Sequence, residues 1–424
     1  MTVFQTRDVT AIDETFPTEV MQLIFTFAIS RISTDAFQHV QKRSNGLLPG
    51  EPYPDETRQA ILNTSKRWRV TLNATPKAWS TIVPIPSYRH ARRYFERCLY
   101  NSASEFLEVY FPPGVHLVRG WFDTQLLISF LRPHASRFSC FYAHFNAFQE
   151  EILLLQSLFP QKNTKHPHLR ELGLSSDDRK MVMTATQVNF PSLTHLALSD
   201  DLIEVFRRLD IDSLRNLTSL RLSFAWKNTD LEDLRLLGCC SRLESLEIEV
   251  QTLVDFSQIQ IKFASLKCLR MTVPDAQVAS MLFSSLKMAQ LTHLLVSFTS
   301  KFERYTSLSE ILGTSLDHIT HLSIHNTSLH NFDLTFLPNL TALRLFQCRL
   351  GPSSLSRTID FKPNLIRKIR LHACQIFVED LVELIVLRQC LALVTRVTIT
   401  EQQAIEVPGK EVWDMMCSVK IEFV

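Results

Sequence analysis

The chain has 424 residues, of which 45% are hydrophobic and 21% are charged. This length allows one or two globular units with large cores. The formal net charge of +2 argues against whole-chain electrostatic attraction to nucleic acid, so nucleic acid is not an expected partner. Only nine glycines are present, which argues against glycine-rich phosphate-binding loops.

The sequence carries no expected targeting or membrane segment. Its first residues lack a basic region followed by an apolar run, so we expect no secretory signal. The most apolar later stretch, Leu381 to Val397, contains Glu383, Arg388 and Arg396, which make it too charged to span a membrane. The nine cysteines form no C-x-x-C pair and are expected to be free thiols in a reducing compartment. We therefore expect a cytoplasmic or nuclear protein.

The first element in the chain is an amphipathic helix, preceded by residues 1–11, which we expect to be disordered. The stretch Thr15 to Ala28, TFPTEVMQLIFTFA, predicts this helix, and Pro17 suits its first position because proline lacks an N–H there. Apolar residues four apart form a stripe along it: Val20 with Ile24, and Met21 with Phe25. This stripe must be covered by the rest of the chain or by another protein.

A second helical stretch follows after a loop. Residues 35–56 contain several glycines and prolines, which predict the loop. Between Thr57 and Ile82, one helical face is formed by Ile61, Ser65, Trp68 and Leu72. The helix is expected to end at Asn73 to Pro76, because the residue before proline leaves the α region. Trp79 then lies in a short apolar segment.

Together these residues resemble an F-box of the fungal type, through Phe-Pro-x-Glu-Val, Ile-Phe, Trp-Arg and Thr-Pro-x-x-Trp. The resemblance covers about residues 15–34 and 57–83, within an F-box-like helical module of residues 12–82. It implies a substrate-recognition subunit of an SCF-type cullin–RING ubiquitin ligase. Such a subunit binds a Skp-type adaptor, and through it a cullin, while another domain holds the target. The matching positions are Phe16, Pro17, Val20, Ile24, Phe25, Trp68 and Trp79.

The same helices also have a simpler interpretation. Two amphipathic helices joined by a polar loop are typical of the terminal cap that a stacked-repeat protein needs. In that case the chain is a repeat scaffold for protein interactions, unconnected with ubiquitin. A fully covered apolar stripe would favour the cap, and an exposed one would favour the docking module.

A motif of three apolar residues in the pattern LxxLxL recurs every 21–28 residues from Leu169 onward. It starts at Leu169, Leu193, Leu217, Leu243, Leu266, Leu291, Ile319, Leu340, Ile366 and Val394. This period is typical of leucine-rich repeats, in which each strand buries its leucines against the next repeat. The sequence therefore predicts an α/β fold, a leucine-rich-repeat-like solenoid over residues 83–424 with parallel strands and helices on the convex side. Clear repeats occupy 166–400, degenerate ones extend back from about 165, and residues 401–424 form a cap.

Helices are predicted between these strands, with Asp or Thr as N-caps, at Asp200 to Leu209, Thr229 to Leu237, Asp275 to Leu286 and Glu379 to Leu387. The degenerate part predicts strands at Ser80 to Ile85, Phe106 to Phe111 and Phe138 to Tyr142. Its helices are predicted at Ser87 to Leu99, Phe122 to Leu131 and Ala147 to Phe159. If these strands and helices form, the repeats follow the F-box-like module without a flexible linker. A last strand is expected within Ser418 to Val424.

No catalytic constellation is recognisable: the sequence has no Walker loop, no G-x-S-x-G and no H-E-x-x-H. We therefore expect a binding protein, not an enzyme, with no cofactor and no metal. The outward strand positions, which in a curved solenoid line the concave surface, hold more basic than acidic residues. The candidate target-binding residues are Arg221, Arg270, His293, His321, Arg344, Lys368, Arg370 and Arg396.

Arginine binds carboxylate and phosphate groups well, so this face predicts an acidic or phosphorylated target segment. An ordinary solvated face would also carry charges, and that alternative stays open. His195, His293 and His321 each lie in a Thr-His-Leu tripeptide, which is typical of a repeat consensus. A metal-binding or pH-sensing role for them is the less favoured alternative.

Overall fold

The computed structural model describes residues 16–30, 54–83, 88–111, 124–145, 157–159, 166–176, 189–199, 203–224, 235–250, 260–299, 305–312, 317–331, 337–350, 368–372, 374, 396–400 and 421–423. Several predicted segments lie wholly or mostly outside these residues: 1–11, the 35–56 loop, and the helices at 147–159, 229–237 and 379–387. The same is true of the C-terminal cap, apart from its last strand. The chain divides into two compact units, Met1–Asn216 and Leu217–Val424.

The first unit begins with three helices: α1 (Thr18–Ser30), α2 (Pro54–Thr64) and α3 (Lys66–Asn73). Helix α1 starts one residue later than predicted, because the Pro17 carbonyl oxygen accepts the first helical hydrogen bond, from Met21 N. The single helix predicted between Thr57 and Leu72 is wrong. It is broken at Ser65, whose extended backbone and side-chain oxygen cap α3 by accepting from Trp68 N.

The three helices enclose a small core with the 3₁₀ turn Pro76–Trp79. Met21, Phe25 and Ile29 of α1 lie inside it, and the Phe25 ring packs 5.3 Å from the Trp68 ring. The Trp79 indole N–H donates to the Leu72 carbonyl oxygen over 2.9 Å. This hydrogen bond holds the 3₁₀ turn against the end of α3.

A buried guanidinium joins these helices to the first strand, β1 (Thr81–Ile82). The Arg58 side chain on α2 is fully buried and donates to the carbonyl oxygens of Ala78 and Thr81. It also donates to the Tyr94 hydroxyl over 3.2 Å and lies 5.4 Å from the Trp79 ring centroid. The Arg58 side chain therefore connects the helices of the first unit to its sheet.

The first unit continues as strands alternating with helices. After β1 come α4 (Tyr88–Asn101), β2 (Leu107–Phe111), α5 (Thr124–Leu131), the 3₁₀ turn Arg132–Arg137, β3 (Phe138–Phe145), β4 (Glu171–Ser176), β5 (His195–Ser199), α6 (Ile203–Arg208) and α7 (Ile211–Asn216). Strands β1 to β5 pair in chain order and every pair is parallel. The strands predicted at Phe106 to Phe111 and Phe138 to Tyr142 are confirmed, and the one predicted at Ser80 to Ile85 is described as a strand over Thr81–Ile82.

The second unit carries a longer parallel sheet. Its elements are β6 (Ser219–Phe224), β7 (Ser245–Val250), β8 (Ile261–Phe263), β9 (Cys268–Val273), α8 (Ala276–Ser285), β10 (Leu286–Met288), β11 (His293–Phe298), β12 (Tyr305–Ser307), α9 (Leu308–Leu312), β13 (His321–His325), β14 (Ser328–Asn331), β15 (Ala342–Phe346), β16 (Arg349–Leu350), β17 (Lys368–His372), β18 (Arg396–Thr400) and β19 (Ile421–Phe423). The main sheet runs β6, β7, β9, β11, β13, β15, β17, β18, β19. Small parallel sheets join β8 to β10, and β14 to both β12 and β16.

Burial alternates along these strands, as the LxxLxL pattern predicts. In β11, Leu294, Val296 and Phe298 are buried, while His293 is exposed. The predicted helix at residues 275–286 is confirmed as α8, with the Asp275 carboxylate accepting from Val278 N as its N-cap. The predicted helix at 200–209 is described as the shorter α6. The structure is thus an α/β protein with a large parallel sheet.

Candidate functional site

Helix α1 has two apolar faces, of which one is buried in the described part of the chain and the other is exposed. Phe25 is 2% exposed and points into the helical core. On the other side, Leu23 is 71% exposed, Ile24 47% and Phe27 65%, and the Phe16 side chain just before the helix is also exposed. We call these four residues the exposed apolar face. A run of large apolar side chains in water is typical of a surface that binds another protein.

The seven F-box-like positions divide between this surface and the core. Phe16, Pro17 and Ile24 are exposed, and Val20 is half-buried. Phe25 and Trp79 are buried, so these two rings pack inside the chain. Trp68 is half-buried, and its indole Nε1 is shielded from solvent without a hydrogen-bond acceptor in the described part of the chain.

In the second unit, the predicted target-binding residues lie in register across the main sheet. Neighbouring strands align Arg221, Glu247, Arg270, Leu295, Ser323, Arg344 and Arg370 in one row. A parallel row contains Cys268, His293, His321, Ala342, Lys368 and Arg396. Because the repeats stack in register, residues from distant parts of the sequence become neighbours on one face.

One carboxylate reduces the positive charge of this face. Glu247 lies between two arginines, with its Oε1 3.4 Å from Arg221 Nε and its Oε2 3.9 Å from Arg270 Nη1. Both arginines share this one negative charge, so the basic face predicted from the sequence is partly neutralised at β6 to β9. Arg344 differs: it is exposed, and no ion-pair partner is found for it among the described residues.

The backbones of Lys368, Arg370 and Arg396 place them at the far end of the same rows. Lys368 pairs with Ala342 and with Arg396, and Arg370 pairs with Arg344. Their side chains lie outside what the structure describes. The register alone brings three of the predicted basic positions together on two adjacent strands.

A shallow groove of about 260 Å³ crosses strands β9 to β15. We call it the histidine groove, and its principal lining residues are Cys268, Arg270, His293, Leu295, His321 and Arg344. The imidazole rings of His293 and His321 stack within it, with centroids 4.2 Å apart and planes inclined by 11°. The structure thus brings together four of the predicted residues, namely Arg270, His293, His321 and Arg344.

Each histidine of this type is held by the threonine that precedes it. The Thr292 hydroxyl contacts Nδ1 of His293 at 2.9 Å, and the Thr320 hydroxyl contacts Nδ1 of His321 at 2.9 Å. His195 in the first unit has the same contact from Thr194. The Thr-His-Leu tripeptide therefore has a local structural role at all three places.

A second polar groove, which the sequence interpretation missed, lies on the sheet of the first unit. The rings of Tyr110 and Tyr142 stack 5.5 Å apart, and the Tyr142 hydroxyl donates to Glu171 Oε2 over 3.1 Å. The Cys140 thiol lies 3.4 Å from the Tyr110 hydroxyl and 3.7 Å from Glu171 Oε2. Gly173 lies beneath the Tyr142 ring, in space that any side chain at position 173 would have to share.

Burial shapes the chemistry of this cluster. It raises the pKa of the Tyr110 hydroxyl, and nearby Cys140 and Glu108 raise it further. Burial also raises the pKa of the Cys140 thiol, and the Glu171 carboxylate adds to that effect. The thiol is therefore protonated and unreactive, since the thiolate is the nucleophile. The cluster serves the packing of β2, β3 and β4.

Among the described residues, no group of three or more His, Cys, Asp or Glu side chains is arranged to hold a metal ion. None of the helices that the structure describes is both long enough and apolar enough to cross a membrane. Comparisons of the sequence with models of known protein families and with curated proteins find no match.

Proposed function

We propose that the chain is a substrate-recognition subunit of an SCF-type cullin–RING ubiquitin ligase. In this proposal residues 12–82 are an F-box-like module that binds a Skp-type adaptor, and through it a cullin. Residues 83–424 are a leucine-rich-repeat-like solenoid, with its helices on the convex side, that holds a target protein. The chain itself catalyses nothing and acts in the cytoplasm or nucleus.

The observation that carries the proposal is the exposed apolar face of α1. Its Phe16 and Ile24 lie within the part of the sequence that resembles an F-box, as does Pro17. The other apolar side of α1, with Phe25, is already used by the core of the chain. A helix that only capped the sheet would have no use for a second apolar face. The face therefore favours an adaptor-binding role over the cap interpretation.

Buried contacts within the first unit also support a docking role. A surface that binds an adaptor needs an ordered framework beneath it. In the first unit, Arg58 and Trp79 join the helices to the start of the sheet through buried contacts. The target surface in this proposal is the row of basic and histidine residues on the second unit, which suits an acidic or phosphorylated segment.

Co-expression with a Skp-type adaptor, followed by size-exclusion chromatography, tests the proposal. Wild type is compared with a chain carrying Pro17→Ala and Ile24→Asp, and we expect co-elution of the wild type only. Ile211→Asp is the matched control, because Ile211 is 55% exposed on another helix of the same unit. Absence of co-elution with a folded wild type would refute adaptor binding and leave a repeat scaffold whose helices are a cap.

A further inference from the structure

The hydroxyl of Thr292 holds the His293 ring in the groove. It lies 2.9 Å from Nδ1 of the imidazole and 3.1 Å from the Lys267 carbonyl oxygen, which also accepts from the backbone N–H groups of Thr292 and His293. No hydrogen-bond partner is found for Nε2 of His293 in the described part of the chain.

His321 is fixed in the same way, since Thr320 donates to the Thr292 carbonyl oxygen over 3.1 Å and contacts Nδ1 of His321 at 2.9 Å. The two stacked rings are only 4.2 Å apart. Two positive charges at that separation repel each other strongly, so the pair favours uptake of one proton over two.

Charged and polar side chains of the neighbouring strands lie close to this pair of histidines. Strand β9 contributes Arg270 and the thiol of Cys268, and β15 contributes Arg344. On β13, the Ser323 hydroxyl lies 2.8 Å from Nε2 of His325. Two guanidinium groups thus flank the histidines, and among the residues that line the groove the structure describes no carboxylate.

These groups favour an anion and a proton together. A protonated imidazole carries a positive charge and donates a charge-assisted hydrogen bond to an anionic oxygen. We propose that the histidine groove binds a dianion of the sulfate or phosphoryl class between Arg270 and Arg344, with one proton taken up by the stacked pair of His293 and His321. The proposal rests on the proposed target-binding role only in that a target segment would carry this anion.

Sulfate is the probe that tests this directly on the full chain, because it keeps two negative charges between pH 8 and pH 5.5. Its affinity is measured at several pH values from the ¹³Cε1 signals of ring-labelled histidine. Coupling to one proton predicts that the affinity rises by up to about tenfold for each pH unit of acidification. Ethyl sulfate, a monoanion of similar shape, is expected to bind more weakly at every pH.

Two variants separate the proposed role from a merely structural one. The double change His293→Gln with His321→Gln keeps polar side chains but cannot take up the proton, so sulfate affinity should become independent of pH. His195→Gln, in the same tripeptide of the first unit, should change nothing.

Equal sulfate affinity at pH 8 and pH 6 in the wild type would overturn the proposal. So would a pH dependence that survives when both His293 and His321 are replaced by glutamine. Sulfate binding that neither this double variant nor Arg344→Ser alters would identify an adventitious ion only. None of these outcomes depends on the adaptor, so the proposal can fail while co-elution with the adaptor succeeds, and the reverse.

Discussion

The guanidinium of Arg58 donates a 2.9 Å hydrogen bond to the carbonyl oxygen of Ala78, twenty residues further along the chain. Ala78 lies in the 3₁₀ turn between α3 and β1, so its carbonyl has no partner in a regular helix or strand. Arg58 supplies that partner from α2 through Nε and donates to the Thr81 carbonyl oxygen on β1 through Nη2. One fully buried side chain therefore satisfies the backbone at the junction of helices and sheet.

Replacing Arg58 with methionine is expected to destabilise the first unit by about 3 kcal/mol. The change keeps most of the apolar volume but leaves the carbonyl oxygens of Ala78 and Thr81 buried without donors. Chemical unfolding followed by tryptophan fluorescence measures it, since Trp79 contacts the Arg58 guanidinium. Arg215→Met is the control: Arg215 is exposed and paired with Asp212, so its loss should cost less than about 1 kcal/mol.

Gly173→Ala is expected to destabilise the protein by about 1–3 kcal/mol, because the added methyl group would overlap the Tyr142 ring. The ring must then move away from Glu171 and lose its 3.1 Å hydrogen bond. A double-mutant cycle measures this, with Tyr142→Ala as the second change. Once the ring is absent, alanine at position 173 should cost almost nothing, and a full penalty in that background would contradict the explanation.

Glu247→Gln is expected to raise the sulfate affinity of the second unit about two- to fivefold at constant ionic strength. Glutamine removes the negative charge that Arg221 and Arg270 share, which leaves both guanidiniums more attractive to an anion. Glu244→Gln is the control, since Glu244 pairs with Lys267 and does not line the histidine groove. Equal increases in sulfate affinity in both variants would indicate that the change in net charge alone causes the effect.

The free energy of unfolding is expected to fall as the pH is lowered below about 6.5, in part because of His166. Burial lowers the pKa of this imidazole below its ordinary value of 6.5, so the unfolded chain binds the proton more readily. Below pH 6.5 the native state therefore holds fewer protons at this site, and stability decreases until the folded pKa is passed.

Comparison of His166→Phe with wild type between pH 8 and pH 5 measures that contribution. Phenylalanine suits the site, because His166 packs between the rings of Phe159 and Phe190. The variant should lose less stability on acidification than the wild type does. His168→Gln serves as the exposed control, and a pH profile of His166→Phe that parallels the wild type would exclude His166 as a source.

The strands of both units were predictable, because the LxxLxL spacing encodes burial of alternate residues directly. The cluster of Arg221, Glu247 and Arg270 was also predictable. These residues occupy the same position in three consecutive repeats, and the pairing register of neighbouring strands follows from the repeat. The break at Ser65 was not foreseen, because serine suits both the surface of a helix and its N-cap. Only the hydrogen bond to Trp68 N decides between the two.

Arg58 could not be recognised from the sequence, since an arginine on an amphipathic helix is normally exposed. Its burial depends on the carbonyl oxygens of Ala78 and Thr81, whose positions follow from tertiary structure. The tyrosine stack was missed for a similar reason. In the sequence, Gly173 occupies an outward position of the repeat. In the structure, the Tyr142 ring on the neighbouring strand fills the space that a side chain at position 173 would need.

The affinity of the purified chain for a Skp-type adaptor tests the central claim most directly. Leu23→Ser with Phe27→Ser removes the two most exposed large apolar side chains of α1 without touching Met21 or Phe25 in the core. We predict nanomolar to micromolar binding by the wild type and at least a hundredfold loss in this variant, with unchanged thermal stability. Equal affinity for both proteins would contradict the assignment of this face as the adaptor-binding surface.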